Sequence, residues 1–186
     1  MPPPEPLIDL AALGTRIAVL GPSNAGKSTL AAALSAKLGA PVVHLDQLRF
    51  EPNTDWVMRS DEAFAALHDE AVAKENWIIE GNYSALFPKR FERATGVILL
   101  DAPVSLRFLR YLRRTLFRRD ERIGVLEGGE ESLKWEMIDW ILIKSRRSAE
   151  TSERIARATG LPFVHFSTPR LMNDHYRRCE NEEHTS

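Results

Sequence analysis

Gly21-Pro22-Ser23-Asn24-Ala25-Gly26-Lys27-Ser28-Thr29 decides the reading of this chain. It satisfies G-x-x-x-x-G-K-[ST], a loop whose backbone amides cradle phosphate groups. Ahead of it, Arg16-Ile17-Ala18-Val19-Leu20 is a short apolar run that reads as a buried strand. Behind it, Thr29 to Leu38 is rich in Ala and Leu and free of Gly and Pro, and reads as a helix. Strand, glycine loop and helix in this order are the context the pattern requires. Amides of residues 23 to 28 then wrap a polyphosphate, and the helix N-terminus adds a favourable dipole. The loop contributes Gly21, Ser23, Asn24, Ala25, Gly26, Lys27, Ser28 and Thr29 to nucleotide binding. Lys27 pairs with the β- and γ-phosphates, and Ser28 ligates Mg²⁺.

The 186 residues are enough for one domain with a sizeable core. A formal net charge of −1 gives no global field toward nucleic acid or membrane. The single cysteine, Cys179, permits no internal disulfide and points to a reducing compartment. Met1 to Pro6 shows neither a basic region nor an apolar signal core, and reads as a stiff lead-in; cytoplasmic residence is the expectation. Residues 1–15 are read as an N-terminal extension, 16–179 as the domain and 180–186 as a polar tail.

Further along, Gly39 reads as the cap of the first helix. Val42 to Leu45 reads as strand two, ending at Asp46, and Arg49 to Asp55 as a loop. Ser60 is the expected N-cap of a helix carrying Ala63, Phe64, Leu67, Ala71 and Val72 on its apolar face. Trp77-Ile78-Ile79 is strand three, Ser84 to Thr95 a helix, and Gly96 to Asp101 strand four. Val104 to Phe117 reads as an amphipathic helix with Leu106, Phe108, Leu109, Leu112 and Leu116 near its core side. Helices are expected over Leu133–Ile143, Ser152–Thr159 and Leu171–Arg178, with Phe163 to Phe166 as strand five. Five strands alternating with helices require a parallel α/β sheet with right-handed crossovers.

Four stretches together resemble one family: the P-loop, His44-Leu45-Asp46, Trp77 to Tyr83 and Val97 to Pro103. They are similar to bacterial topology-modulation proteins, which are related to adenylate kinase. The similarity covers roughly residues 16 to 147. It implies a three-layer P-loop NTPase fold like that of nucleoside-monophosphate kinases, with strand order 2-3-1-4-5, and it implies ATP binding. One departure is that the family's strand three usually ends in Asp-Gly, whereas this chain has Glu80-Gly81.

Ligands of such sheets sit at the carboxyl ends of the strands. Asp46 there reads as a group that orients or deprotonates an acceptor hydroxyl, or as a loop cap. Glu80 reads as the second acid of the metal site. Asp101 reads as an N-cap. Asn82 and Tyr83 suit either an acceptor contact or a turn. Arg107, Arg110, Arg113, Arg114, Arg118, Arg119 and Arg122 form a dense cluster. In kinases that resemble this region, lid arginines neutralise the transferred phosphoryl group. Arg114 and Arg118 are the preferred candidates here, and Arg170 reads either as stacking on the adenine or as a surface salt-bridge residue. His44 and His165, within strands, read as packing residues. Residues 47–76 are expected to bind the acceptor and 113–131 to form a lid. The expected activity is transfer of the γ-phosphoryl group of ATP, with Mg²⁺, to a nucleotide or small metabolite by a monomer or homodimer. The alternative is an ATP-binding or ATPase regulator of DNA topology, with nucleic acid as a less favoured partner.

Overall fold

A parallel sheet buried on both faces splits each strand's side chains between two cores. In the computed structural model, which describes residues 10–54, 56–117 and 145–167, this split is complete in β1 (Arg16–Leu20). Ile17 and Val19 enter one core, and Ala18 and Leu20 the other. Around β1 lie β2 (Val42–His44), β3 (Trp77–Glu80), β4 (Gly96–Leu100) and β5 (Phe163–Phe166). The order is β2-β3-β1-β4-β5 with every pair parallel, as the family resemblance implied. Continuous apolar runs suit this setting: β3 and β4 are buried at every position.

One face carries α1 (Lys27–Leu38) through Leu30, Ala31 and Leu34, with a 3-10 turn at Leu10–Leu13. The other carries α3 (Asp61–Ala73) and α4 (Phe87–Arg93) through Phe64, Val72 and Phe87, with Ala156 of α6 (Ser145–Ala158). The short α2 (Leu45–Arg49) follows β2, and α5 (Val104–Phe117) follows β4. The expected caps are present. Ser60 Oγ accepts from Ala63 N at 3.2 Å, and Gly39 N donates to Ser35 O at 2.9 Å.

Several expectations need correction. Strand two stops at His44, because Leu45 turns fully into the core and starts α2; Asp46 therefore sits in the first turn of a helix. The expected loop after it is partly ordered as a small hairpin, with Phe50 bridging Met58 and Arg59 N donating to Arg49 O at 2.8 Å. Ser84–Leu86 is a separate 3-10 turn, and Pro88 falls in the first turn of α4, where its missing N–H costs nothing. On α3, Ala63 is exposed and His68 is buried. On α5, Leu109 is 61% exposed, while Arg107 and Tyr111, one turn apart, are buried. The helix expected from Ser152 already runs from Ser145. The helices expected at 133–143 and 171–178, the polar tail and most of the 113–131 lid lie outside the described residues.

Gly96 starts β4 against the Leu10–Leu13 turn, and a Cβ there would come within 2.7 Å of Leu13 O and 2.8 Å of Leu13 Cα. Backbone cannot move aside as a side-chain tip can. Gly96→Ala is therefore expected to destabilise the fold by about 1–3 kcal/mol in urea unfolding, the usual cost of overpacking.

Candidate active site

At the end of β1 the chain must turn sharply beneath β4. Gly21 does so at φ 141°, and a Cβ there would sit 2.2 Å from Leu100 O. No other residue fits. Asn24 (φ 62°) and Gly26 (φ 105°) continue the loop in left-handed conformation, and Gly26 leads into α1. The result is a concave run of backbone at a helix N-terminus, the shape that binds phosphate. Lys27 Nζ donates to Pro22 O at 3.2 Å across this loop. Ser23, Asn24, Gly26, Lys27 and Ser28 are half-buried, Ala25 is buried and Thr29 is exposed.

The strand register brings the next group. Glu80 closes β3 with Val19 opposite on one side and His44 on the other. Its Oε1 accepts from Ser28 Oγ at 2.9 Å. His44 Nδ1 lies 2.8 Å from the same oxygen, donating there in the tautomer protonated at Nδ1. His44 is thus no mere packing residue. Glu80 is only 6% exposed. Burial alone would push its pKa up. The His44 hydrogen bond, the Lys27 charge and the Ser28 hydroxyl outweigh it and hold the carboxyl below the usual range. A hydroxyl and an ionised carboxylate side by side beneath a phosphate loop are the hard-oxygen donors that suit Mg²⁺. Among the described residues no group of three His, Cys, Asp or Glu side chains is placed to hold a metal unaided.

Beyond β2 lies the segment expected to bind the acceptor. Asp46 is exposed on α2, and Tyr83 Oη donates to its Oδ1 at 2.7 Å. Burial, and then the Asp46 charge, push the Tyr83 phenol pKa upward, so it stays protonated as a donor. The Tyr83 ring meets Phe64 edge-on at 4.9 Å. Arg49 lies over Phe64 at 5.3 Å and donates to Asp61 Oδ1 at 2.7 Å. Asn82 Oδ1 accepts from Gly21 N at 3.0 Å, which joins this turn to the phosphate loop. Asn82 and Tyr83 thus lie in a turn after β3 whose side chains bond Gly21 and Asp46.

Two arginines were not anticipated in their roles. Arg90 is fully buried on α4. Its NH1 donates to Gly81 O at 2.7 Å and its Nε faces His68 Nε2 at 3.4 Å, so the guanidinium braces the turn after β3. Its NH2 has no partner among the described residues. The Leu86, Phe87 and Phe91 pattern that marks the buried side of this helix does not single out Arg90. Arg110 donates through NH1 to Ala25 O at 2.7 Å and thereby holds the phosphate loop from α5. It belongs to the arginine cluster, but not to the pair preferred from spacing. Arg114 lies in α5 with its side chain outside the description, and Arg118 and Arg170 lie outside the described residues. β4 ends at Leu100, one residue short of the expected Asp101, whose N still donates to Phe166 O at 3.0 Å and which lines a cavity of about 550 Å³ with Arg107 and Glu150.

The strand order and the glycine loop define a P-loop kinase fold. Solved structures show the same arrangement. A shikimate kinase from Acinetobacter baumannii, in complex with shikimate, superposes with a TM-score of 0.57 at 15% identity over 95% of this chain and 97% of its own. A shikimate kinase from Bacteroides thetaiotaomicron gives 0.53 at 18% identity over 91% of this chain and 98% of its own. At such identities the likeness is one of fold. No protein-family model matches the chain, and no curated protein sequence does.

Burial and the neighbouring Arg90 charge pull the His68 pKa down from 6.5 to about 4. A histidine neutral in the fold but free to protonate once unfolded stabilises fully above pH 6.5. That contribution drains away as pH falls from 6.5 toward 4. Urea midpoints measured from pH 7.5 to 4.5 should fall more steeply for the wild type than for His68→Asn. Parallel curves would show that His68 does not carry the effect.

Proposed function

We propose that this chain is an ATP-dependent phosphotransferase that moves the γ-phosphoryl group to a small acceptor at the Asp46 side of the cleft. The observation that carries the reading is the convergence at the ends of β1, β2 and β3. There the P-loop, the Ser28–Glu80 pair and the Asp46–Tyr83 pair are joined through Asn82 and the strand register. A protein that only bound nucleotide would not require the second acid and its donor. The fold neighbours, named as kinases of the small metabolite shikimate, are consistent with it.

In this reading the amides of residues 23 to 28 and Lys27 hold the phosphates, and Ser28 and Glu80 hold Mg²⁺. Bound Mg²⁺ supplies charge neutralisation at the phosphate oxygens. Lys27 exchanges its bond to Pro22 O for phosphate oxygens. Asp46 orients the acceptor. Where the acceptor is an alcohol, Asp46 takes the hydroxyl proton as the acceptor oxygen bonds to the γ-phosphorus and the bond to the ADP oxygen breaks. Where the acceptor is itself a phosphate, no proton need be removed and Asp46 only positions. Arg110 keeps the loop in shape from behind, and Arg114 and Arg118 are assigned to charge neutralisation over the transferred group. Arg170 is assigned to the base. Most of the work is positioning and fixed charge, which suits a reaction with little covalent chemistry for the protein.

The experiment is transfer from γ-labelled ATP across a panel of nucleotides, sugars and hydroxy acids. Lys27→Ala is expected to abolish transfer with the circular dichroism spectrum unchanged; wild-type turnover in that variant would sink the reading. Asp46→Asn separates the acceptor classes. With an alcohol, kcat is expected to fall by about 10²–10⁴-fold, the usual worth of a positioned general base. With a phosphate acceptor the loss should be far smaller and should show mainly in the acceptor KM.

A further inference from the structure

Tyr83 stands in a conformation its side chain disfavours. Its backbone lies at φ 42° and ψ 69°, left-handed, where a bulky residue is an outlier. Such a conformation persists only where its surroundings over-determine it, and here they do. Immediately before it, Arg90 NH1 is bonded to Gly81 O and Asn82 Oδ1 to the amide of Gly21. Immediately after it, Leu86 N donates to Tyr83 O at 2.9 Å. Its ring is fixed against Phe64 of α3. All this holds one phenol at 2.7 Å from one carboxylate oxygen, Oδ1 of Asp46.

Asp46 needs such a holder. It is exposed and rides on α2, a helix of five residues, too short to be rigid by itself. Arg49, a turn away on the same helix, has its guanidinium NH1 on Asp61, and Glu80 has Ser28 and His44. Those are the charged groups whose fields reach Tyr83 beside Asp46 itself.

We propose that Tyr83 is the positioning residue of Asp46, locking Oδ1 so that Oδ2 faces the acceptor, while Asn82 registers the same turn against the phosphate loop. Gly81-Asn82-Tyr83 thereby sets the distance between the donor loop and the acceptor acid. Tyr83 acts through Asp46 and takes no part in bond making. The kinetic part of this inference rests on the kinase reading above; the contact itself does not.

Tyr83→Phe keeps the ring against Phe64 and deletes only the hydroxyl. Two measurements test the proposal. In the full-length chain, the ¹³Cζ resonance of Tyr83, assigned by its loss in Tyr83→Phe, should shift in Asp46→Asn. In transfer assays, Tyr83→Phe should lower kcat about tenfold with an alcohol acceptor, or raise the acceptor KM with a phosphate acceptor, in each case with the KM for ATP unchanged. It should have no further effect in the Asp46→Asn background, since two residues acting as one unit are non-additive. An unmoved resonance, or an equal effect of Tyr83→Phe on kcat or acceptor KM in both backgrounds, would overturn the proposal. A wild type that phosphorylates nothing in the panel would overturn the kinase reading instead, and the resonance would still decide the contact.

Discussion

Glu80 Oε1 receives the Ser28 hydroxyl at 2.9 Å and faces the His44 imidazole at 2.8 Å, and so ties α1, β2 and β3 at a single atom. The carboxylate stands at the end of a strand buried at all four positions. Without partners, an ion there would cost several kcal/mol of lost hydration. Its partners come from separate elements, and only one strand order supplies them. β3 must have β1 on one side, to bring the phosphate loop, and β2 on the other, to bring His44. The fold and the charge state of the site are therefore a single requirement.

The same dependence explains which features were legible in the sequence. The phosphate loop could be read because its physics is local: glycines, lysine and hydroxyl act within nine consecutive residues. The caps at Ser60 and Gly39 are local in the same way. Glu80 could be read because a strand end in such a sheet faces ligand. His44 could not, since a histidine in an apolar strand looks like packing until β2 is aligned with β3 and Glu80 appears beside it. Arg90 was hidden for a related reason. Its partners are a carbonyl nine residues back and a histidine on another helix, and charge suggested solvent. On α5, Leu106, Leu109 and Leu112 offered one stripe, and Arg107 with Tyr111 another. Periodicity alone did not separate them: Arg107 and Tyr111 are buried, Leu106 packs partly against the core and Leu109 is exposed.

The phosphate loop and the proposed acceptor segment are also built differently. The former stands on a full strand and a helix of 12 residues, with Arg110 buttressing the loop from α5. The latter is assembled from a five-residue helix, a small hairpin and a three-residue turn. Arg59 holds that hairpin through bonds to the carbonyls of Leu48 and Phe50. Short pieces fixed by side-chain bonds can be rebuilt by a few substitutions without disturbing the sheet. That difference is why the phosphate loop is legible in residue types and the Asp46 segment is not.

Backbone strain follows the same division. Among the described residues, the non-glycine positions with positive φ are Asn24, Asn53, Trp56 and Tyr83. One lies in the phosphate loop, two in the hairpin after α2 and one in the turn after β3. None lies in a strand or a helix. Asparagine tolerates the left-handed region through its short polar side chain, but Trp56 and Tyr83 have no such excuse. Each of the two is held by an aromatic partner, Phe50 at 5.1 Å and Phe64 at 4.9 Å. Local preference is thus overruled where a ring finds an aromatic partner, and that contact offsets part of the cost. Structures specified consistently at every level break their own rules mainly at working surfaces. In this chain two of those exceptions, Asn24 in the phosphate loop and Tyr83 beside Asp46, border the group that Glu80 anchors.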